Sequence, residues 1–159
     1  MLVFLIGFMG SGKTTLGRAL AAQLNGHFVD LDREIEDYSG CSVSELFKRT
    51  EEPGFRKVEQ QVLHNTVRRL QDPSQVMQDG VIACGGGTPC FRHNLSFMKA
   101  NGFVIYLEVS PEILCERLLL CPERIRPMIP TRNPEQLLIF IRDLLGRRRP
   151  IYEAAHWKC

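Results

Sequence analysis

A short apolar run opens the sequence and leads into the glycine-rich stretch GFMGSGKT, residues 7–14, which a helical pattern follows. The stretch satisfies the pattern G-x-x-x-x-G-K-[ST] in its required position, after a strand and before a helix. Glycines let the backbone curl so that several N–H groups point at one anion, and the positive end of the helix dipole lies behind them. A plain flexible turn is the alternative, but the complete motif favours a cradle for the phosphates of a nucleotide.

Each residue type in this cradle has a predicted task. Lys13 is long enough to reach the β and γ phosphates, and the hydroxyl of Thr14 can ligate magnesium. The residues predicted to contact the nucleotide are Gly10, Ser11, Gly12, Lys13, Thr14 and Thr15. The cradle therefore predicts binding of a nucleotide together with Mg²⁺.

Four short apolar runs alternate with helical patterns along the chain. They are LVFLI at the start, then HFVDLD, GVIACGGG and GFVIYLEV. Such alternation is typical of an α/β fold with a parallel sheet, in which ligands bind at the carboxyl ends of the strands. With 159 residues, of which 44% are hydrophobic and 24% charged, the chain fits one globular domain over residues 1–159. We predict a three-layer αβα sandwich around a mostly parallel sheet.

Composition gives no sign of several other kinds of protein. The net charge of +2 does not indicate nucleic-acid binding. The first apolar run is too short for a secretory signal or a membrane span. The six cysteines form no C-x-x-C pair, so neither a zinc site nor a disulfide framework is predicted. We expect a cytoplasmic monomer with no nucleic-acid and no membrane partner.

Two carboxylates follow the second apolar run. In a strand, residues two apart project to the same side, so Asp30 and Asp32 should both face the ligand edge. One carboxylate near the phosphates can hold magnesium, while the other orients or deprotonates a hydroxyl for attack. A helix cap is the alternative role for Asp32.

A possible acceptor site is indicated by a charged pair and a glycine triplet. Arg56 and Glu59 lie three residues apart on a predicted long helix and can pair on one face, although most such pairs are ordinary surface ion pairs. Gly85, Gly86 and Gly87 follow the third apolar run. Three glycines in succession make most sense where a ligand approaches the backbone, with a tight turn as the alternative.

Arginines are concentrated in the last third of the chain. Residues 121–134 contain four prolines and three arginines, so this segment is predicted to form a mobile excursion instead of a regular helix. Arg126 is the first choice for a cation that closes on the transferred phosphoryl group, with Arg124 and Arg132 as substitutes. The later basic triplet, residues 147–149, is more typical of a solvated face.

Taken in order, the segments GFMGSGKTTLGRALA, FVDLDREIE, FRKVE, GGG, IRPMI and RRRPIYEAA resemble the motif series of shikimate kinase, a family of small P-loop kinases. The resemblance covers nearly the whole chain. It implies an α/β P-loop kinase fold with a mobile lid at about residues 120–133 and a shikimate-binding helical region at about residues 32–60. It also implies ATP-dependent phosphorylation of the 3-hydroxyl of shikimate, with Mg²⁺, to give shikimate 3-phosphate and ADP.

The resemblance further implies individual roles. Asp30 belongs to the magnesium shell with Thr14, and Asp32 contacts the shikimate hydroxyls and is the candidate base. Arg126 closes on the phosphates, and Arg117 flanks adenine. Arg56 and Arg148 hold the shikimate carboxylate. The full set of implied shikimate contacts is Asp32, Arg56, Gly85, Gly86, Gly87 and Arg148, and the implied catalytic set is Lys13, Asp32 and Arg126.

Two departures from the family pattern lead to further expectations. The sequence ends at Cys159, soon after R-x-P-x-Y, where family members usually continue with another strand and a helix, so we expect that strand to be missing. Glu51 stands where the family commonly has glycine, which predicts a local change near Arg56.

Two alternative functions remain open. One is another small-molecule P-loop kinase, such as a gluconate or nucleoside monophosphate kinase. The other is a nucleotide switch, although the sequence lacks the N-K-x-D element of guanine-binding switches.

Overall fold

The computed structural model describes residues 1–72, 74, 79–120 and 129–159. The strands are β1 Leu2–Ile6, β2 His27–Asp30, β3 Gly80–Ala83, β4 Phe103–Tyr106 and β5 Trp157–Lys158. The helices are α1 Lys13–Gln23, α2 Leu31–Ser39, α3 Val43–Leu70, α4 Asn94–Asn101, α5 Pro111–Leu120 and α6 Pro134–Glu153, with a short 3-10 helix at Thr88–Cys90.

The five strands form one parallel sheet in the order β2-β3-β1-β4-β5. β1 is apolar and buried along its whole length, as expected for a strand covered on both faces. Because β2, β3 and β1 are neighbours and run in the same direction, their carboxyl ends meet at one edge of the sheet. The three polar segments that follow these strands are therefore brought together.

Helices cover both faces of the sheet. On one face Val3 and Leu5 of β1 pack with Ala21 of α1. On the other face Phe4 and Ile6 join the larger core, to which the helices from α2 onward contribute. The predicted αβα architecture with a parallel sheet is confirmed. Within the described residues, no helix combines the length and the apolar character needed to cross a membrane.

In the described part of the chain, two helices lie between β2 and β3. Gly40 ends the first, α2, in a left-handed conformation with φ 68°. The second, α3, is kinked at Glu51, where φ is 54° and ψ is −179°. The kink lies five residues before Arg56, in the segment where Glu51 predicts a local change from the family pattern.

Two further expectations concern the last third of the chain. The expectation of a missing final strand is wrong, because β5 pairs with β4 through Trp157 opposite Ile105 and Lys158 opposite Tyr106. Sequence inspection missed this strand because it is only two residues long. The predicted lid lies largely outside the described residues, which resume at residue 129 before α6 begins at Pro134.

Candidate active site

The cradle joins β1 to α1. Gly10 and Gly12 have φ values of 83° and 94°, a conformation that other residues rarely adopt, and Gly12 precedes the first residue of α1. Ser11 is buried, and its backbone N–H donates to the carbonyl of Phe8 at 3.2 Å. The loop therefore has the curled backbone and the helix N-terminus that an anion site of this kind requires.

Cations approach the cradle from two sides. The Lys13 ammonium donates to the carbonyls of Gly7 and Phe8, at 3.0 and 2.8 Å. Arg117 on α5 donates from Nη1 to the Gly10 carbonyl at 3.2 Å. Both predicted nucleotide contacts thus lie directly against the loop.

Thr14 and Asp30 form a pair of oxygen groups beside the cradle. The Thr14 hydroxyl donates to Asp30 Oδ2 at 3.0 Å, and Asp30 Oδ1 accepts the backbone N–H of Asp32 at 3.2 Å. Asp30 is therefore the N-cap of α2, the role considered for Asp32 in the sequence. Hydroxyl and carboxylate oxygens are the ligand types that Mg²⁺ prefers, so this pair fits the predicted metal.

Asp32 does not lie on a strand, which corrects the reasoning that placed it beside Asp30. β2 ends at Asp30, and Asp32 is in the first turn of α2. Asp32 nevertheless reaches the same edge, since a Cβ added to Gly85 would lie 3.6 Å from Asp32 Oδ1. The first turn of α2, and not the alternation of side chains along a strand, brings Asp32 next to the glycine triplet.

Arg56 is held in a buried ion pair. Its Nη1 donates to Glu59 Oε2 at 2.7 Å, and the two side chains are 8% and 1% exposed. Its Nη2 contacts Glu52 at 3.3 Å. Burial by itself lowers the pKa of this guanidinium, but the two carboxylates outweigh that effect and the net pKa is raised. The Arg56–Glu59 pair is therefore buried and is not an ordinary surface ion pair.

Arg148 is the buried member of the basic triplet. It is 7% exposed, while Arg147 and Arg149 are exposed and form ion pairs with nearby carboxylates. The Arg148 guanidinium lies 5.9 Å from the centre of the Phe8 ring, which belongs to the cradle. The expectation of a solvated face is correct for two of these arginines and wrong for the third.

The glycine triplet connects these groups. A Cβ added to Gly86 would lie 3.3 Å from Arg148 Nη1 and 3.3 Å from the backbone nitrogen of Met9. A Cβ added to Gly87 would collide with the Arg56 guanidinium. Arg56 and Arg148 therefore meet at consecutive residues of one loop, beside the phosphate cradle. A side chain at Gly87 would displace the Arg56 guanidinium, and one at Gly86 would be in tight contact with the Arg148 guanidinium.

Three groups at this site were absent from the predicted set of site residues. The Tyr152 hydroxyl donates to the Gly86 carbonyl and ties the triplet to α6. Thr88 and Asn94 are fully buried behind the triplet. Tyr152 could have been found in the R-x-P-x-Y segment, whereas a single threonine or asparagine in a loop carries no sequence signal. Arg126, predicted to close on the phosphates, lies outside the described residues.

Two cysteines lie near the site. Burial raises the pKa of the Cys84 and Cys90 thiols, which disfavours the reactive thiolate form at neutral pH.

A phosphate cradle that shares a sheet edge with an acidic group and two buried guanidinium groups defines a P-loop kinase that acts on a small molecule. A family model described as shikimate kinase matches residues 9–159. The chain belongs to the shikimate kinase family.

Individual relatives agree with this assignment. A shikimate kinase from Parabacteroides distasonis is 41% identical over 96% of this chain and 83% of its own length. A crystal structure of shikimate kinase from Bacteroides thetaiotaomicron has a TM-score of 0.88 and 38% identity, covering 99% of this chain and 85% of that one. The structure of shikimate kinase from Acinetobacter baumannii in complex with shikimate has a TM-score of 0.84 and 38% identity, and the match covers 99% of this chain and 82% of that one.

Proposed function

We propose that this protein is a shikimate kinase, which transfers the γ-phosphoryl group of ATP to the 3-hydroxyl of shikimate. The observation that carries the proposal is the meeting of Arg56 and Arg148 at the glycine triplet, beside both Asp32 and the phosphate cradle. Two guanidinium groups in fixed positions suit a carboxylate on a small acceptor. The similar Acinetobacter baumannii enzyme, with its bound shikimate, supports the same acceptor for this chain.

In this proposal the cradle holds the triphosphate. Backbone N–H groups of residues 10–15 point at the phosphates, and Lys13 exchanges its carbonyl partners for the β and γ phosphate oxygens. Thr14 and Asp30 are the residues that would hold Mg²⁺, directly or through water. The ion, when bound, neutralises charge on the β and γ phosphates. Arg117, which contacts Gly10, is placed to flank the adenine.

The acceptor side uses the groups around the triplet. Arg56 and Arg148 hold the shikimate carboxylate, and Gly85, Gly86 and Gly87 let the ring approach the backbone. Asp32 accepts the proton of the shikimate 3-hydroxyl while the oxygen of that hydroxyl attacks the γ-phosphorus. The bond from that phosphorus to the bridging oxygen breaks, and ADP leaves. Arg126, on the proposed lid, closes over the phosphates and limits access of competing water.

The remaining parts of the proposal concern the whole protein. We infer one domain over residues 1–159, which works as a cytoplasmic monomer with shikimate and ATP as small-molecule substrates and without nucleic-acid or membrane partners. Size-exclusion chromatography with light scattering tests the monomer.

A coupled assay of ADP release with a panel of acceptors tests the function. We expect saturable release that depends on shikimate and on Mg²⁺, and almost none with gluconate or with nucleoside monophosphates. Release that is indifferent to shikimate, or that is faster with gluconate, would contradict the proposal and favour another small-molecule kinase.

Thermal denaturation separates the kinase from the nucleotide switch. A ligand raises the midpoint only if it binds the folded state preferentially, so ADP and shikimate should each raise it. GDP should have a smaller effect than ADP. A larger shift with GDP and none with shikimate would revive the switch.

A further inference from the structure

Thr88 lies next to the acceptor site and hydrogen-bonds to Glu59, the ion-pair partner of Arg56. It follows the glycine triplet directly, begins the short 3-10 helix and is fully buried. Its hydroxyl donates to Glu59 Oε1 at 2.6 Å, while Glu59 Oε2 accepts from Arg56 Nη1 at 2.7 Å. One buried carboxylate therefore joins the Thr88 hydroxyl to the Arg56 guanidinium.

The backbone of Thr88 is fixed as well. Its N–H donates to the Gly85 carbonyl at 3.1 Å, and its carbonyl accepts from Asn94 Nδ2 at 2.9 Å. Asn94 is fully buried at the start of α4, and its Oδ1 accepts from Gln60 Nε2 at 2.8 Å. Thr88 is thus held between the triplet and α4, while α3 carries Glu59 and Gln60.

This arrangement lets the Thr88 hydroxyl help to fix the direction of Arg56, whose other carboxylate contact, Glu52, is exposed. A carboxylate that is 1% exposed needs a donor at each oxygen, because a missing partner in a buried site is costly. Without the Thr88 hydroxyl, Glu59 would turn to find another donor, and Arg56 would turn with it. A cation that must meet a substrate carboxylate loses much of its value when it is misplaced by about 1 Å.

We propose that Thr88 is a positioning residue for the acceptor, acting through Glu59 to aim Arg56 at the substrate carboxylate. The inference rests on the proposed function, since it assumes that Arg56 binds the carboxylate of shikimate. Thr88 does not touch the reacting atoms. Its loss should therefore weaken acceptor binding and leave nucleotide binding nearly unchanged.

The test compares variants that differ by one hydroxyl. Thr88→Val keeps the shape and removes the donor, while Thr88→Ser keeps the donor. In the coupled assay we expect Thr88→Val to raise the KM for shikimate by about tenfold and to change the KM for ATP by less than about twofold. Thr88→Ser should recover most of the loss.

A buried threonine on α3 serves as the matched control. Thr66 is 2% exposed, and its hydroxyl donates to Glu34 at 3.5 Å and not to Glu59, so Thr66→Val should leave the KM for shikimate and the KM for ATP nearly unchanged. If Thr88→Val does not fold, the pair Thr88→Ala and Thr88→Ser measures the same hydroxyl deletion.

The outcomes separate this inference from the proposed function. Thr88→Val with a lower Tm but an unchanged KM for shikimate would show a purely structural hydroxyl and overturn the inference alone. Equal increases in both KM values would also overturn it, since they indicate a general distortion. Wild-type protein that releases ADP only with another acceptor would overturn the proposed function and, with it, the acceptor named here.

Discussion

Glu51 occupies a backbone conformation that glycine adopts without strain. Its φ of 54° and ψ of −179° lie in a region that is almost restricted to glycine, and occupying it costs other residues about 1–3 kcal/mol. The side chain is exposed, so no packing would be lost with it. We expect Glu51→Gly to stabilise the fold by about 1 kcal/mol in urea denaturation, after the added flexibility of the unfolded chain is subtracted.

Glu51→Ala is the matched control, because alanine removes the carboxylate and keeps the strain. Its stability should stay close to that of the wild type. If alanine stabilises the protein as much as glycine does, then charge repulsion, and not backbone strain, explains the gain.

The partly buried His64 side chain should make the free energy of unfolding depend on pH. Burial, and secondly the nearby Arg68, lower the pKa of its imidazole, and among the described residues its Nε2 has no hydrogen-bond partner. The folded state therefore favours the neutral ring, while the ring in the unfolded chain has a pKa of about 6.5. The stability gained from the neutral ring is complete above that pH and is lost as the pH falls from there to the lower pKa of the folded state.

Melting curves between about pH 7.5 and about pH 5.5 measure the effect. His64→Gln should lose less stability over this range than the wild type does. Arg68→Gln removes only the second cause and should reduce the slope by less. An identical slope in wild type and His64→Gln would show that the ring does not contribute.

Kinetics separate the proposed roles of the cradle, the base and the carboxylate site. Lys13→Ala and Asp32→Asn should reduce kcat by at least about a hundredfold while the protein remains folded. Arg148→Ala should mainly raise the KM for shikimate, by about tenfold. An equal loss of ADP binding in all three variants would contradict these separate roles.

At the scale of single residues, the sequence makes a definite prediction where a residue type has few alternatives. The glycines and the lysine of the cradle belong to a complete motif with one common use. Arg148 could not be distinguished from Arg147 and Arg149 by residue type, since burial depends on the face of α6 that packs against the cradle. Thr88 gave no signal, because its role exists only through contacts with α3 and α4.

Among the helices, α1 depends on one glycine for its packing. A Cβ added to Gly17 would lie 2.6 Å from the Phe28 ring on β2. Gly17→Ala should therefore destabilise the protein by about 1–3 kcal/mol, even though alanine is the better helix former. Urea denaturation monitored by circular dichroism measures the change.

Gly146 provides the opposite case within another helix. It lies inside α6, is exposed and would have nothing within 4 Å of an added Cβ. Gly146→Ala should stabilise the protein by about 0.5–1 kcal/mol. If Gly17→Ala stabilises the protein as Gly146→Ala does, helix propensity and not close packing determines the result at Gly17.

At the scale of elements, the strands with strong apolar runs and the main helices follow from the sequence. Periodicity located α1 and the long part of α3, because their buried faces repeat at helical spacing. It did not separate the end of β2 from the start of α2, so Asp32 was placed on the wrong element. It also missed β5, because two residues cannot show an alternating pattern.

For the whole molecule, the order of the strands explains why the site exists. Segments that are far apart in sequence follow β1, β2 and β3, which are neighbours in the sheet. The cradle, the acidic pair and the glycine triplet therefore meet at one edge, and α3 and α6 bring Arg56 and Arg148 to the triplet. Sequence alone predicted three strand ends with functional groups, but their adjacency depends on pairing that only the folded chain reveals.

The central claim is that this edge recognises the carboxylate of a hydroxylated ring acid. The most direct measurement compares kcat/KM for shikimate with kcat/KM for its methyl ester in the coupled assay. Since hydrogen bonds between charged groups are stronger than neutral ones, we predict a value that is roughly 10–100-fold lower for the ester. Equal values for the two compounds would show that Arg56 and Arg148 do not bind the carboxylate.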